Sequence, residues 1–183
     1  MSGEVLRTER LALSAFTEAD APFLVRLLGD PGFLRFIGDR GVRTEADARA
    51  YVAEGPRASY AAHGFGLWRV DCLGDGTSIG MCGLLQRDVL DAPDLGYAFL
   101  AEHTGQGYAR EAASATLAYA RVTLGLETVY AYTVADNVRS VALLTDLGFR
   151  FDRALVLSEA GTEAALYRHT RAADAPTPSA PGR

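Results

Sequence analysis

The stretch DLGYAFLAEHTGQGYAREAASATLAYARVTLGL, residues 94–126, decides the fold. Residues 95–100 have the pattern of a strand, a turn with two glycines follows, and an alanine-rich helix is predicted over residues 108–124. The helix begins directly after Gly107. Free backbone N–H groups and the positive end of the helix dipole make such a junction an anion site, and glycines let the main chain approach a phosphate closely. The loop over residues 105–110 would therefore accommodate a pyrophosphate.

Other interpretations of this loop are possible. Gly105 and Gly107 also suit a plain turn between a strand and a helix. A P-loop is excluded because no Gly-Lys-Ser/Thr follows. The dinucleotide-binding fingerprint of an oxidoreductase matches in part, but Arg110 stands where its third, small residue belongs. Glu127 could imitate the ribose-binding acid about 20 residues on, yet it precedes the next predicted strand instead of ending it.

Length and composition limit the class of protein. The 183 residues include 18 basic and 23 acidic side chains, which gives a formal net charge of −5. This is the length of one domain, and the lack of a Lys/Arg block argues against a nucleic-acid partner. Cys72 and Cys82 form no CxxC pair, which is typical of reduced thiols. With no signal-like start and no long apolar run, we expect a cytoplasmic protein without a membrane partner.

The hydrophobic pattern predicts a single domain over residues 1–171 and a disordered Pro/Ala-rich tail over residues 172–183. Capping signals at Thr17 and Thr44 open two predicted helices. Strands are predicted over residues 11–13, 66–70, 78–85, 95–100, 129–134, 149–157 and 164–169, and helices over residues 17–29, 44–60, 108–124 and 137–147. This order indicates a mixed α/β fold with a mostly antiparallel sheet and helices on both faces.

Four segments, in this order, make the chain resemble the GNAT N-acetyltransferase superfamily, and specifically its RimJ/RimL-like branch of ribosomal-protein N-terminal acetyltransferases. They are TERLAL (8–13), IGMCGLL (79–85), DLGYAFL with TGQGYAREAA (94–113), and ADNVRSVALLTDLGFRF (135–151). The family pattern Gln/Arg-x-x-Gly-x-Gly/Ala is matched at Gly107 and Ala109, while Thr104 replaces its first residue. The resemblance covers nearly the whole domain.

The resemblance implies an acetyl-CoA site in a sheet that splays between the strands over residues 95–100 and 129–134. The pyrophosphate is then held by main-chain N–H groups of residues 105–110, and the pantetheine arm enters the cleft. In this view Asn137 contacts the arm and Ser140 lies near the thioester sulfur, although Asn137 also suits a helix N-cap. The implied cosubstrate-binding residues are Phe99, Leu100, Gly105, Gln106, Gly107, Tyr108, Ala109, Arg110, Asn137 and Ser140.

The implied reaction is transfer of acetyl to a primary amine, either a protein N-terminus or a small molecule, by direct attack in a ternary complex. Asp94 is the candidate general base and Ser140 the candidate proton donor to the thiolate. A backbone N–H near Leu100 would stabilise the oxyanion. The alternatives are that Asp94 is a solvated residue after a proline and that Ser140 is an ordinary first-turn residue. Tyr97 is interpreted as packing or as a wall of the acceptor pocket.

The remaining expectations concern partners and cofactors. His63, His103 and His169 are widely spaced and predict no metal site. Arg110 and, less directly, Arg139 are candidate phosphate contacts. The acidic chain would attract a cationic amine at long range, and a homodimer is possible. The alternative to an acyltransferase is a non-catalytic acyl-CoA-binding sensor on the same fold.

Overall fold

The computed structural model describes residues 3–156 and 163–170. The expected tail over residues 172–183, like the end of the expected domain at residue 171, lies outside the described residues. In the part of the chain that is described, no helix is long and apolar enough to cross a membrane.

Within the residues that the structure describes, eight strands form one mixed sheet. They are β1 (Glu4–Arg7), β2 (Leu11–Ala15), β3 (Leu67–Cys72), β4 (Ser78–Leu85), β5 (Asp94–Phe99), β6 (Thr128–Thr133), β7 (Arg150–Val156) and β8 (Glu163–Thr170). Their order across the sheet is β1-β2-β3-β4-β5-β6-β8-β7. Neighbouring strands are antiparallel except β5 and β6, which are parallel. The expected mostly antiparallel sheet is therefore confirmed.

Helices cover both faces of the sheet. They are α1 (Ala21–Leu28), α2 (Pro31–Phe36), α3 (Glu45–Val52), α4 (Ala58–His63), α5 (Tyr108–Val122) and α6 (Val138–Asp146). One core joins α1, α2 and α3 to Met81 of β4 and Ala98 of β5. The other joins α5 and α6 to Cys82 and Leu95, the alternate residues of the same two strands. Helices on both faces were expected from the sequence and are present.

The sequence pattern misses or misplaces three elements. Strand β1 and the short helix α2 were not predicted, although Asp30 caps α2 by accepting the Gly32 N–H at 2.8 Å. The expected single helix over residues 44–60 is interrupted by a π-helical turn, Ala53–Arg57, before α4 begins. Pro56 lies inside that turn and lacks the N–H that a continuous α-helix requires. The interruption is therefore the local response to a proline.

The sheet opens between its two parallel strands. Within the described residues, β5 and β6 share one ladder pair, Asp94 with Tyr130, and the Tyr130 N–H donates to the Pro93 carbonyl at 2.9 Å. On their other sides β5 pairs along its whole length with β4, and β6 does so with β8. Beyond Asp94 the two halves of the sheet diverge. The expected splay is thus present, and it leaves one edge of β5 facing a cleft.

Candidate active site

A cavity of about 1090 Å³ occupies this cleft. Its walls come from β5, β6, the loop before α5, the starts of α5 and α6, and helices α2 to α4. Asp94 and eight of the ten expected cosubstrate-binding residues line it, namely Phe99, Gly105, Gly107, Tyr108, Ala109, Arg110, Asn137 and Ser140. Leu100 and Gln106 are not part of the wall. Residues from three separate sequence segments therefore meet in one space.

The loop before α5 has the conformation of an anion site. Gly105 and Gly107 both have positive φ, at 76° and 82°, and a side chain at either position would be strained. Gly107 is the N-cap of α5, and the first intrahelical bond runs from the Glu111 N–H to its carbonyl at 3.0 Å. The preceding N–H groups of the first turn have no carbonyl one turn back to bind. They are available to an anion such as a pyrophosphate.

Arg10, from the start of β2, holds this loop from outside the cavity. Its Nη1 donates to the Gln106 carbonyl at 3.0 Å, and its Nε donates to Glu111 Oε2 at 2.6 Å. The guanidinium also lies 4.6 Å from the centre of the Tyr108 ring. Glu111 is fixed in turn, because its Oε1 accepts the Thr8 hydroxyl at 2.6 Å. Sequence reasoning used Arg10 only as part of a motif and missed this role, since its partners lie about a hundred residues away.

Two arginine side chains lie beside the loop near Thr104, the residue that stands in place of the Gln or Arg of the pattern. Arg139, on the first turn of α6, lines the cavity and its Nη1 lies 3.5 Å from the hydroxyl of Thr104. Thr104 in turn donates its hydroxyl to the Ala101 carbonyl at 2.8 Å. Arg110 is exposed, and its ion pair with Asp146 is long, at 3.9 Å. Arg139 therefore brings a positive charge to the position that Thr104 leaves neutral.

The backbone of β5 offers hydrogen-bonding groups to the cleft at alternate residues. The Leu100 N–H donates to the Ile79 carbonyl at 3.0 Å, so Leu100 and every second residue before it turn their polar groups toward β4. The polar groups of Tyr97 and Phe99 consequently face β6 across the cleft. The Ala101 N–H is also engaged, donating to Asp30 Oδ2 at 3.1 Å. The oxyanion donor expected near Leu100 therefore cannot be the Leu100 N–H, and the Phe99 N–H is the nearest one directed at the cleft.

Tyr97 and Ser140 meet across the cleft. Their hydroxyl oxygens lie 2.9 Å apart, and the Ser140 N–H is held by Asn137 Oδ1 at 3.3 Å. Burial raises the pKa of Tyr97 to about 12, against the hydrogen bond to Ser140, which lowers it. The phenol thus keeps its proton at neutral pH. Tyr97 packs with Leu95 and the other residues of the α5 core as expected, and its hydroxyl lies beside that of Ser140, the residue predicted as proton donor.

Asp94 is buried where the two halves of the sheet separate. Only 1% of the residue is exposed, which rules out the interpretation that it is a solvated residue after a proline. Its Oδ1 accepts the Arg87 Nε–H at 2.7 Å. Burial raises the pKa of Asp94 to about 6, while the Arg87 charge and hydrogen bond lower it. Such a carboxylate is ionised at neutral pH and is still basic enough to accept a proton.

The buried thiol of Cys82 lies apart from this arrangement. Cys82 is fully buried against Thr116, with Sγ and Oγ1 3.4 Å apart, and burial raises the pKa of its thiol to about 12. A thiolate nucleophile is not available there. Asn137 caps α6 through Oδ1, and its side-chain NH2 is a different group that can still donate. In residues 3–156 and 163–170 no three His, Cys, Asp or Glu side chains are grouped to hold a metal ion.

Comparison with known proteins places the chain among acetyltransferases. The family model of the acetyltransferase (GNAT) domain matches residues 10–150. An uncharacterized N-acetyltransferase of Bacillus subtilis, YoaA, is 26% identical over 153 residues, which cover 82% of this chain and 85% of YoaA. An acetyltransferase structure from Agrobacterium tumefaciens has a TM-score of 0.76 at 27% identity, covering 93% of this chain and 96% of that one. RimL, a ribosomal L7/L12 alpha-N-protein acetyltransferase solved with coenzyme A, shares the fold at 16% identity, with a TM-score of 0.78 and coverage of 91% and 97%.

Proposed function

The chain belongs to the GNAT acetyltransferase family and is an N-acetyltransferase, and from this premise we propose that it transfers the acetyl group of acetyl-CoA to a primary amine by direct attack in a ternary complex. The observation that carries the proposal is the cleft between β5 and β6. It has an anion loop at one end, a backbone edge along its side and a hydroxyl pair in its middle. Pyrophosphate, pantetheine and thioester would use these three features in turn.

We assign the cosubstrate site to backbone and side-chain groups along the cleft. Main-chain N–H groups at the start of α5 would bind the pyrophosphate, with Arg139 as an additional charge. The polar groups of Tyr97 and Phe99 on the cleft edge of β5 would bind the amides of the pantetheine arm as an added strand would. The side-chain NH2 of Asn137 would donate to one of its carbonyls.

Acetyl transfer needs a neutral amine, a polarised carbonyl and a protonated leaving thiolate. We assign Asp94 as the general base that takes the ammonium proton, through a water. The Phe99 N–H stabilises the oxyanion, and the hydroxyl pair of Tyr97 and Ser140 delivers a proton to the sulfur. No covalent intermediate is needed, which agrees with the buried, protonated state of Cys82.

The acceptor and the setting are further parts of the proposal. The four-segment resemblance to the RimJ/RimL-like branch favours a protein N-terminus or an amine that resembles one. The 16% identity to RimL supports a common fold, and the identity of the acceptor amine is a question for experiment. We further propose that the protein acts in the cytoplasm and does not bind nucleic acid, in keeping with its net charge of −5. A homodimer would be detected by sedimentation.

Binding and turnover separate this proposal from its alternatives. Acetyl-CoA should raise the Tm, NAD should not, and CoA should be released when an amine from a broad panel is added. Replacing Gly107 by alanine should weaken CoA binding at least tenfold, because the loop then cannot hold its positive φ. Absence of CoA binding at millimolar concentration would overturn the proposal. Binding without release of CoA for any amine would favour the acyl-CoA sensor.

A further inference from the structure

Two arginines line the end of the cavity where β5 begins. Arg87 follows β4, and Arg40 lies in the segment between α2 and α3. Burial raises the pKa of Tyr51 and of Tyr132, and the charges of both arginines act on each phenol in the opposite direction. Arg87 also lies over the Tyr132 ring, with its guanidinium carbon 4.8 Å from the ring centre. Both positive charges therefore lie near the same two tyrosines.

Two of the carboxylates on this wall already accept hydrogen bonds from protein groups. Asp94 accepts the Nε–H of Arg87, and the two carboxylate oxygens of Asp30 accept backbone N–H groups of Gly32 and Ala101. Glu54 also lines the cavity and, like Arg40, is exposed to solvent. Among the described residues, Arg40 has no hydrogen-bonded or ion-paired carboxylate. Arg87 has five N–H donors, of which Nε alone binds Asp94, so it too can bind a second carboxylate.

Arg87 is tied to β5, the strand that carries Tyr97, through its hydrogen bond to Asp94, and Arg40 lines the same cavity. Asp94 and Tyr97 are three residues apart on β5, which corresponds to about 10 Å along the strand. An amine that attacks beside the Tyr97 and Ser140 hydroxyls could therefore place a group a few bonds away against Arg87 and Arg40. An arginine fork matches a carboxylate in shape and charge, and two arginines would disfavour a second cationic group at the same position.

We infer that the acceptor is a primary amine bearing a carboxylate, which Arg40 and Arg87 bind at the β5 end of the cavity. The inference rests on the proposed acetyltransferase function and specifies its substrate class. It adds a carboxylate to the cationic amine that the acidic chain is expected to attract at long range. Charges beyond about 8 to 10 Å are screened at physiological salt, so the nearest side chains decide what binds.

Matched acceptors test the inference without changing the reacting amine. Glutamic acid α-amide and glutaminamide differ only in a side-chain carboxylate, and the dipeptide amides Ala-Glu and Ala-Gln carry the same difference one residue further on. The wild-type kcat/KM should favour the carboxylate in at least one pair by about tenfold or more. Preference in the first pair indicates an amino-acid-like acceptor, and preference in the second alone indicates an acidic residue near a peptide N-terminus. Spermidine should be the poorest acceptor.

Substitution of Arg40 tests whether this residue causes the preference for acceptors that carry a carboxylate. Arg40→Gln should reduce the carboxylate preference at least threefold, and Arg40→Glu should reverse it. Arg49→Gln removes an exposed arginine that pairs with Glu45 outside the cavity, and it should leave the preference unchanged. Equal rates within both pairs, or a preference that survives Arg40→Gln, would overturn the inference while leaving the acetyltransferase proposal intact. No CoA release with any amine would contradict both.

Discussion

At the residue scale, Asp94 combines two opposing influences. Burial disfavours its charge, and Arg87 favours it, and the outcome is a pKa of about 6. A base with this pKa becomes deprotonated, and so able to accept a proton, as the pH rises through 6. An ordinary aspartate is already deprotonated well below that pH, but it is too weak a base to accept a proton from the amine efficiently. The position of Asp94 at the end of the cavity makes this perturbation relevant to the reaction.

Asp94→Asn should therefore change the pH profile as well as the rate. In the wild-type enzyme, kcat/KM should rise with pH through about 6, because protonated Asp94 cannot accept a proton. The variant should lose this limb and about 100-fold or more in kcat/KM, the usual contribution of a general base. Asp88→Asn, an exposed change six residues earlier, is the matched control. A limb near pH 6 that persists in Asp94→Asn would move the role of base to another group.

The same group should make the stability depend on pH. The folded protein holds the Asp94 proton more tightly than the unfolded chain, since the pKa rises from 3.8 to about 6 on folding. The stabilisation that comes from this tighter proton binding is therefore fully present below pH 3.8 and is lost as pH rises through 6. Its loss lowers the free energy of unfolding by about 3 kcal/mol. Urea unfolding of wild type and Asp94→Asn between pH 4 and 7 checks this. The free energy of unfolding of the wild type should fall relative to that of Asp94→Asn as pH rises, and parallel curves would contradict the prediction.

Tyr97 and Ser140 should act as one proton-donating unit. Tyr97→Phe and Ser140→Ala should each lower kcat at least tenfold with little change in the KM for acetyl-CoA. Because the two hydroxyls lie 2.9 Å apart, the double variant should lose much less than the product of the single effects. Single-turnover rates of CoA release measure this. Fully multiplicative losses would show that the two residues act independently.

At the scale of elements, the loop before α5 depends on a contact from a residue 96 positions earlier in the chain. Arg10 binds the Gln106 carbonyl, Glu111 and the face of Tyr108, so the loop is held before any ligand arrives. A loop organised in advance binds an anion without a large loss of conformational entropy. We therefore propose Arg10 as a positioning residue for the cosubstrate.

Arg10→Gln should raise the KM for acetyl-CoA about tenfold while leaving kcat nearly unchanged. Arg10→Lys should recover part of the affinity, because its ammonium can still reach one of the two acceptors. Arg7→Gln, which removes an exposed pair with Glu4 on β1, should affect neither constant. Initial rates at varied acetyl-CoA concentration separate the outcomes. A fall in kcat at unchanged KM would contradict the positioning role.

The sequence predicts elements well where the signal is local. The strand, the glycine turn and α5 are found where residues 94–126 predict them, because alternation, positive φ and helix propensity act over a few residues. Strand β1 has only four residues, and α2 has six, too few for a reliable pattern. The clamp by Arg10 and the meeting of Tyr97 with Ser140 depend on tertiary folding across 96 and 43 positions, and no spacing rule predicts them.

At the scale of the whole molecule, the net charge does not indicate the charge of the cavity. The value of −5 argues against an extended cationic surface, yet arginines line the cavity at both of its ends. Arg139 and Arg110 lie at the loop end, and Arg40 and Arg87 lie at the β5 end. The fold thus places two separate positive regions in one acidic chain. Composition could predict neither, because their members come from four distant segments.

The parallel contact of β5 with β6 is the feature that unites these observations. One ladder pair holds the two halves of the sheet together at Asp94, and the divergence beyond it creates the cavity. The anion loop, the hydroxyl pair and the buried carboxylate all lie along this one opening. The geometry suits two substrates bound at the same time from opposite ends.

Initial velocities at varied acetyl-CoA and varied amine test the central claim most directly. For direct attack in a ternary complex, the release of CoA should require the amine, and double-reciprocal plots should intersect. The Cys82→Ala variant should give the same pattern, since the buried thiol takes no part. Parallel lines, or CoA released without an amine acceptor, would contradict the account.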